Sequence, residues 1–411
     1  MKKTRIIFLL LTIAFLLPSS LGAFDFGLLL DQYAAFGSYT DDSKFFDYRA
    51  GLVPRLSHYF NDKSGFFVAG SMTFGYKNKE FYVPVIELLR TEFSYNSGSL
   101  GLKIGRFHYS DPLSIIADSL YDGVQVSYGT SVGRFSLGAW YTGFLYKKNA
   151  HIVMLDGQSG EEQIKYDAPL KYSDFSKTYF APKRMLAALD WEHLSLFDFL
   201  QVQAAALGQI DVSGSDNKLH SQYFILSAGV PVKSFLFEAG GSFEAIQLKG
   251  AKPRNYFALT GKLGINWTLP TKFHSRLSLT GHYASGENNY FGAFKPVTTK
   301  SFGEMLQAKM TNIMFLDLSY SMRINKSVGA NITAAYFRRN DSITYNTFYI
   351  GSGNDGKKNL GGEIFARVIW SPFSDLNLNF GGGAFIPAMG DVWKDEKPRW
   401  RFDLSAILAL Y

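Results

Sequence analysis

The feature that most limits the fold of this sequence is a regular alternation of amphipathic segments and connections. About eighteen segments of roughly ten to fifteen residues carry apolar side chains at every second position, as transmembrane β-strands do. Within 256–267, for example, Phe257, Leu259 and Leu263 share one face, whereas Lys262 lies on the other. The pattern predicts an all-β fold, a transmembrane antiparallel up-and-down β-barrel of about 18 strands.

The connections of the predicted barrel are alternately short and long. The even-numbered ones are turn-sized, and most of the length of the odd-numbered ones lies at about 147–182, 286–308 and 341–358. Short periplasmic turns and long extracellular loops are typical of outer-membrane barrels, so we predict that location in a diderm bacterium, with both termini periplasmic. The predicted strands are 26–38, 48–60, 65–76, 83–95, 98–107, 120–129, 132–146, 183–193, 199–210, 219–230, 234–247, 254–268, 272–285, 309–323, 327–340, 359–371, 375–386 and 399–411.

A soluble antiparallel sandwich also has alternating strands, so the strand ends are needed to separate the two folds. If the even-numbered strands run toward the periplasm, the last lipid-facing residue of six of them is aromatic. Such rings form a girdle at a membrane interface, whereas a sandwich has no reason to collect them at one end. The six residues are Phe60, Tyr95, Tyr128, Trp191, Trp267 and Trp370.

Residues 1–22 have the composition of a cleavable signal peptide. Lys2, Lys3 and Arg5 precede an apolar run that is shorter than the ~20 residues of a transmembrane helix. We therefore predict a cleaved leader at 1–22 and an outer-membrane barrel at 23–411. The absence of cysteine excludes disulfides and thiolate metal sites. Loss of the leader leaves a net charge of about +4, which is too small to indicate nucleic-acid binding.

Three charged residues fall on the lipid-facing phase of predicted strands. A charge facing lipid at mid-bilayer is destabilising, so we predict a β-bulge near Leu88 and Leu89 that turns Glu87 inward. Arg106 and Arg338 lie at loop ends, where long side chains can reach the interface. The C-terminal aromatic residue is out of step with the apolar phase before it. Either a late bulge restores the register or the assembly signal is unusual.

Charged residues on the lumen-facing phase are the candidates for a solute pathway. The acidic ones lie on the eighth and eleventh strands, and the basic ones lie on strands that closure joins into one arc. Opposed arcs would orient charged solutes across the pore; alternatively, the charges pair across neighbouring strands and fill a polar interior. The predicted pore-lining residues are Arg49, Arg55, Arg90, Lys103, Lys262, Arg276, Arg339 and Arg367, with Asp190, Glu192, Glu238 and Glu244 as the acidic group. The basic arc also includes Arg401 and is interrupted by Asp31, Glu92, Asp317, Glu363 and Asp403.

Three stretches resemble the alginate-export family of outer-membrane porins. A glycine–arginine segment at 102–106 is followed by an aromatic-Asp-Gly-Val sequence at 121–124. The loop start at 282–287 is similar to the Tyr-x-Ser-Gly-Asp of that family, and 361–363 with 383–387 looks like its penultimate strand pair. The resemblance implies an eighteen-stranded, monomeric-type barrel that passes an anionic polysaccharide or small solutes through a basic constriction.

These observations predict a porin or channel for passive diffusion of hydrophilic solutes, anionic compounds and saccharides among them, through a polar charged lumen. A surface-exposed adhesin or antigen and a transporter of hydrophobic compounds remain alternatives. Catalysis is not expected, because His282 and Ser285 fall on opposite strand phases. We expect no cofactor, metal ion or nucleic acid; the expected partners are membrane lipid, the barrel assembly machinery, and small hydrophilic solutes or oligosaccharides. The oligomeric state, and whether the loops at 147–182 and 286–308 enter the pore, stay open.

Overall fold

Eighteen antiparallel strands form a closed barrel in the part of the chain that the structure describes. The structure, a computed structural model, describes residues 24–38, 43–78, 80–153, 170–250, 253–288, 290–341 and 356–410, so the predicted leader lies outside it. The strands are β1 (Asp25–Ser38), β2 (Lys44–Asn61), β3 (Ser64–Lys77), β4 (Glu80–Asn96), β5 (Leu100–Ser110), β6 (Asp118–Thr130), β7 (Gly133–Tyr141), β8 (Arg184–Leu196), β9 (Leu200–Asp211), β10 (Lys218–Val232), β11 (Phe235–Lys249), β12 (Arg254–Thr268), β13 (Arg276–Ala284), β14 (Ile313–Arg323), β15 (Val328–Arg339), β16 (Asn359–Trp370), β17 (Leu376–Ile386) and β18 (Arg399–Leu410). Each strand pairs with its neighbours in sequence, and pairing of β1 with β18 closes the sheet.

The strands confirm the predicted barrel and its alternating connections. Turn-sized connections follow the even-numbered strands, and the longest connections follow β7, β13 and β15. β7 ends at Tyr141 rather than near residue 146, because the chain turns there. Thr142 Oγ1 donates to Pro182 O, and Leu145 N donates to Thr142 O at 3.1 Å. Two short helices, α1 (Lys147–Ala150) and α2 (Phe175–Tyr179), lie in the connection that follows.

The outward-facing positions of the strands are mostly apolar and exposed. The six aromatic residues predicted to form a girdle lie on this face, at or near the turn ends of even-numbered strands. Phe60, Tyr128 and Trp370 expose 56%, 54% and 43% of their surface. Trp191 Nε1 donates to Val132 O at 3.0 Å, which ties its ring to the turn after β6. An apolar outer wall with rings at one end fits a bilayer better than water.

The predicted bulge in β4 is present. The β3–β4 pairing shifts by one residue at Leu89. As a result Glu87 and Arg90 both face the lumen, although they are three positions apart. The Glu87 carboxylate is buried and accepts a hydrogen bond from Asn149 Nδ2 at 2.5 Å. In β18 the pairing with β1 continues without a shift as far as Leu410, so the late bulge is absent from the described pairs; the last residue lies outside them.

The loop between β5 and β6 folds into the barrel. Asp111 holds it, because its carboxylate accepts hydrogen bonds at 2.8–3.2 Å from four backbone N–H groups, those of Leu113, Ile115, Ile116 and Ala117. Leu113 crosses the lumen to β11, where Gly240 leaves room for it; a Cβ atom on Gly240 would lie 2.4 Å from Leu113 Cδ2. We call residues 111–117 the plug loop.

The long loops after β7 and β13 also fold inward in their described parts. Val297 N and Thr298 N both donate to Ile116 O of the plug loop, at 2.8 and 3.0 Å. Ile152, just after α1, forms an antiparallel bridge with Thr298. The three loops and the apolar lumen-facing side chains around them form one buried cluster in the loop-end half of the barrel. The lumen is therefore narrowed from within by its own loops.

The barrel wall is split between β4 and β5 at its loop end. Six residue pairs join these strands, from Thr91–Arg106 to Asn96–Gly101, and the described pairing gives the loop-end half of β4 no strand on that side. Carbonyl groups along this edge accept side-chain hydrogen bonds instead, as unpaired backbone in a membrane wall must. The donors are Tyr172 Oη to Pro84 O at 2.6 Å, Tyr179 Oη to Ile86 O at 3.3 Å, and Arg106 Nη1 to Leu88 O. We call this split the β4–β5 seam.

Candidate functional site

All twelve charged residues proposed from the sequence as pore-lining lie on the lumen face of their strands. The lumen-facing basic residues are Arg49, Arg55, Arg90, Lys103, Lys262, Arg276, Arg339 and Arg367, and the acidic ones are Asp190, Glu192, Glu238 and Glu244. Two of them are covered by loop backbone instead of facing open lumen. Glu244 accepts a hydrogen bond from Lys295 N at 2.9 Å, and Arg339 Nε donates to Lys357 O at 2.8 Å. For this pair the expectation of a pore-lining position is corrected, because the loops fold inward.

The narrowed lumen contains a compact group of charges between the wall and the loop after β13. The guanidinium groups of Arg367 and Arg401 lie 5.3 and 5.1 Å from the ring of Phe365. Nη2 of each arginine donates to Oε2 of Glu304, which projects from the loop, at 3.2 Å. Arg401 Nε also donates to Asp403 Oδ2 at 3.0 Å. We call Glu304, Arg367, Arg401 and Asp403 the charged constriction.

The wall residue Glu363 fixes the position of Glu304. Its carboxylate accepts backbone hydrogen bonds from Glu304 N at 2.7 Å, Met305 N at 3.2 Å and Leu306 N at 2.9 Å. The preceding residue, Gly303, has φ +79°, a conformation that residues with a Cβ rarely adopt. Glu363 is buried, whereas the Glu304 side chain is 42% exposed. Glu363, one of the acids that interrupt the basic arc, therefore anchors the loop and leaves the Glu304 side chain facing the lumen.

A second group of charges continues the basic side of the lumen on β4 and β5. Arg90 Nε donates to Glu92 Oε2 at 2.8 Å, and Lys103 Nζ lies 4.0 Å from Glu92 Oε1. Arg90 also packs over the ring of Phe67 at 5.0 Å. The Arg90 and Lys103 side chains remain 41% and 46% exposed. Arg90 therefore pairs with Glu92 within β4, Lys103 approaches Glu92 from β5, and both cations remain accessible.

The acidic group on β8 and β11 is largely buried or hydrogen-bonded. Tyr109 Oη donates to Asp190 Oδ1 at 2.9 Å, and Asn266 Nδ2 donates to Glu238 Oε2 at 2.6 Å. Glu192, on β8, is half-buried. The acidic side of the lumen, on β8 and β11, lies away from the charged constriction, which the loop after β13 and strands β16 and β18 form.

A polar cavity of about 240 Å³ lies beneath the plug loop, against β11, β12 and β13. Glu238, Lys262, His282 and Lys300 line it. Lys300 Nζ donates to Asp118 Oδ2 at 2.9 Å, whereas Lys262 forms no ion pair within the described residues. A space that combines cations, a carboxylate and apolar loop atoms can hold a small polar solute.

The sequence-based selection did not include Glu304, Asp111 or the buried pair of Arg184 and Asp211. Arg184 Nη1 binds the Asp211 carboxylate and also donates to Leu219 O at 2.9 Å, with both charged side chains fully buried. Loop residues such as Glu304 have no strand phase, so alternation could not place them. One signal was available: several lumen-phase residues near the loop ends are large and apolar, which indicates an inward-packed core. They are Phe107, Tyr109, Leu186, Leu207, Ile225 and Ile246.

His282 and Ser285, weighed above as a possible catalytic pair, make other contacts. The His282 ring stacks on Phe315 with centroids 4.5 Å apart. Ser285 Oγ donates to Gly292 O at 2.8 Å and accepts from Leu259 N at 3.0 Å. Among the described residues, no helix is long and apolar enough to cross a membrane, and no group of His, Cys, Asp and Glu could hold a metal ion.

Solved structures similar to this barrel include outer membrane proteins of Pseudomonas aeruginosa. OccK2 (OpdF) is 12% identical, with a TM-score of 0.62 over 95% of this chain and 99% of that chain. The same protein in complex with glucuronate gives a TM-score of 0.61 at 12% identity, again over 95% and 99% of the two chains. The outer membrane protein OprD gives 0.57 at 12% identity over 94% and 93%. No protein-family model and no curated protein sequence matches the chain. The similarity supports a porin-like barrel, and these structures are not alginate-export proteins.

Proposed function

We propose that the chain is a porin, a channel for passive diffusion of small hydrophilic solutes across the outer membrane of a diderm bacterium. The observation that carries the proposal is a closed barrel with an apolar outer wall and a lumen narrowed by its own loops to a charged constriction. Folding of loops into a barrel restricts the pathway and brings selective groups to it. The similar structures named above as outer membrane proteins support the location.

We propose small carboxylates as the favoured cargo. Arg367 and Arg401 both direct Nη2 at Oε2 of Glu304, so the constriction already holds a carboxylate from the chain itself. A solute carboxylate that displaces it finds charge-assisted hydrogen bonds of the same kind. The glucuronate bound to OccK2, a protein of the same fold, belongs to this chemical class. Lys103 and Arg90 extend the cationic side of the pathway.

Single-channel recording in planar bilayers tests the proposal. We expect discrete conductance, an anion-shifted reversal potential under a KCl gradient, and a concentration-dependent reduction of current by glucuronate. Arg367→Gln and Arg401→Gln should each reduce the anion preference and the effect of glucuronate. Arg338→Gln, which changes an arginine on the outward face, is the matched control and should change neither. A folded protein without conductance at any salt concentration would contradict the channel and favour an adhesin.

The proposed orientation has the long loops outside the cell and both termini in the periplasm. Because the chain has no cysteine, one introduced cysteine is a unique label. A membrane-impermeant maleimide should label Asp395→Cys, in the connection between β17 and β18, on intact cells, but not Asp62→Cys, in the turn between β2 and β3. The reverse result would invert the topology.

The proposed leader at 1–22 predicts a mature protein that begins at Ala23, which intact-mass measurement checks.

Transport of hydrophobic compounds is a second candidate function, because the β4–β5 seam is a split in the wall facing the membrane. Uptake of an apolar solute by liposomes that exceeds uptake of a polar solute of equal size would favour it.

The alginate-export resemblance remains a proposal that rests on three short motifs. Its polysaccharide cargo predicts that anionic oligosaccharides block the current more strongly than the monosaccharide does. The inward plug loop favours the shorter solute.

A further inference from the structure

The outer surface of the barrel contains an apolar groove that side-chain packing does not fill. It has a volume of about 560 Å³ and crosses β12 to β15. Gly261 and Gly281 form its floor, and the exposed side chains of Leu263, Leu316 and Tyr336 stand around it, with Arg338 at its loop end. We call these six residues the glycine groove. Three strand spacings give it a length of roughly 14 Å.

The register of the strands explains why the groove exists. Gly261 on β12 faces Gly241 on β11, and Gly281 on β13 lies between Leu263 and Leu316 on the flanking strands. All of these positions belong to the outward phase, where neighbouring strands carry large apolar residues. The missing side chains therefore leave a depression in a wall that is otherwise covered by Leu, Phe and Tyr. Lipid hydrocarbon is the medium that contacts such a wall.

The loop end of the groove is cationic. Arg338, exposed and on the outward phase, forms no ion pair with any described residue. Lys358 lies beside it across the β15–β16 connection, where its carbonyl accepts a hydrogen bond from Arg339 N at 2.9 Å. Asp391 lies in the same region, and its carboxylate accepts hydrogen bonds from Lys358 N, Asn359 N and Asn359 Nδ2. An anionic lipid needs an apolar surface for its acyl chain and a cation for its headgroup. The glycine groove offers the first, and Arg338 at its loop end offers the second.

We propose that the glycine groove binds one acyl chain of a phosphorylated, multiply acylated glycolipid of the outer leaflet, with a phosphate of its headgroup on Arg338. The inference rests on the outer-membrane location and orientation given under Proposed function. The loop ends then lie at the outer-leaflet headgroups, where the guanidinium of Arg338 meets phosphate. The acyl chain follows the glycines from the loop end toward the middle of the barrel. A zwitterionic phospholipid offers the same tail without a net negative headgroup.

Native mass spectrometry of the full-length protein in neutral detergent tests the site. The probes are a bis-phosphorylated, six-chain glucosamine-disaccharide lipid, its dephosphorylated form, and phosphatidylethanolamine. We expect the phosphorylated glycolipid to be retained in preference to the other two. Arg338→Gln should weaken its apparent affinity about fivefold, as expected for one cation at a membrane surface, and should not weaken binding of the dephosphorylated form.

The groove itself is tested by filling it. A Cβ atom on Gly281 would lie 3.8 Å from Leu316 Cδ1, an ordinary contact, so Gly281→Leu fits the fold and occupies the groove. It should abolish selective retention of the phosphorylated glycolipid. The matched controls are Gly208→Leu, on the outward face of β9 with nothing within 4 Å of the new Cβ atom, and Lys44→Gln, at the loop end of β2. Both controls should bind as the unchanged protein does.

Two outcomes overturn the proposal. One is equal retention of the phosphorylated and dephosphorylated lipids; the other is unchanged retention in Gly281→Leu. Single-channel conductance of the same variants keeps the proposal separate from the porin function. Normal conductance with no lipid selectivity contradicts the site alone, whereas selective lipid binding without conductance contradicts the porin and leaves the site in place.

Discussion

At the scale of single residues, Glu304 decides how the charged constriction treats anions. Its carboxylate is shared by Arg367 and Arg401 and remains partly exposed to the lumen. Glu304→Gln removes a negative charge but keeps an acceptor oxygen, so it should increase anion preference. A unit charge at about 4 Å in water is worth about 1 kcal/mol, which corresponds to about a fivefold change in the chloride-to-potassium permeability ratio. The reversal potential under a salt gradient measures it.

Asp174→Asn is the control for Glu304→Gln, because it removes an exposed loop carboxylate whose Oδ2 lies 3.7 Å from Nζ of Lys177 in α2. It should leave the permeability ratio unchanged. Equal shifts in both variants would mean that the net charge of the loops sets selectivity. No shift in Glu304→Gln would contradict a pathway through the constriction.

The sequence allowed us to predict the orientation of a residue that interrupts the alternation of a strand. It did not allow us to predict the orientation of loop residues, which belong to no such alternation. Glu87 lies on the lipid-facing phase of the predicted strand. Because a charge that faces lipid destabilises the barrel, the sequence predicted the bulge that is found at Leu89. Glu304 and Asp111 lie in loops, where no periodicity predicts which way a side chain points. Glu304 is positioned because its backbone N–H donates to the carboxylate of Glu363, whereas Asp111 holds the plug loop because its own carboxylate accepts from backbone N–H groups. Local pattern predicts strand faces; the loop contacts depend on the closed barrel.

At the scale of elements, the β4–β5 seam is held by side chains where other strand pairs use backbone hydrogen bonds. Arg106 contributes most to it, because its guanidinium is bound twice by Asp122, at 2.8 and 2.7 Å, and also donates to Phe144 O at 3.2 Å. The residue was expected to reach the interface as an extended side chain; it is instead 4% exposed and joins β5 to β6, β4 and the loop. The loop that contains α1 and α2 thus completes the wall.

Two tyrosine hydroxyls donate hydrogen bonds to β4, so we expect their removal to destabilise the β4–β5 seam. Burial raises the pKa of Tyr179 to about 12, so its hydroxyl remains a donor at all ordinary pH values. Tyr172→Phe with Tyr179→Phe removes two hydrogen bonds to carbonyls of β4, each worth about 1 kcal/mol. We expect a lower midpoint of urea unfolding and faster amide exchange in residues 85–88, measured by hydrogen–deuterium exchange.

Tyr290→Phe provides the comparison for the double variant, since the Tyr290 side chain is 84% exposed. It should leave both the midpoint and the exchange pattern as they are. Faster exchange spread over all eighteen strands in the double variant would show that the seam opens only with the whole barrel. Exchange confined to β4 would identify the seam as the least stable part of the wall.

At the scale of the whole molecule, the barrel and its plug are separate structures with different supports. The wall is held by antiparallel pairing around eighteen strands, with side chains closing the β4–β5 seam. The plug loop is held by four of its own N–H groups, which donate to the Asp111 carboxylate, and by Val297 N and Thr298 N, which donate to Ile116 O. Loss of the Asp111 carboxylate should loosen the loop without opening the barrel, because no strand pairing passes through it. Pore size and barrel stability should therefore respond differently to substitutions in the loop.

Asp111→Ala tests that separation. Charge-assisted hydrogen bonds contribute about 1.5–3 kcal/mol each, so loss of four of them should loosen the plug loop, which the bonds to Ile116 O continue to hold at one point. We expect a larger and noisier single-channel conductance and weaker block by glucuronate, whereas the unfolding midpoint of the barrel changes little. Asp111→Asn retains one acceptor oxygen and should lie between the two, and Asp62→Ala, in the turn after β2, should match the unchanged protein. Unaltered conductance in Asp111→Ala would show that the pathway does not pass the plug loop, and it would leave the charged constriction as the element that restricts it.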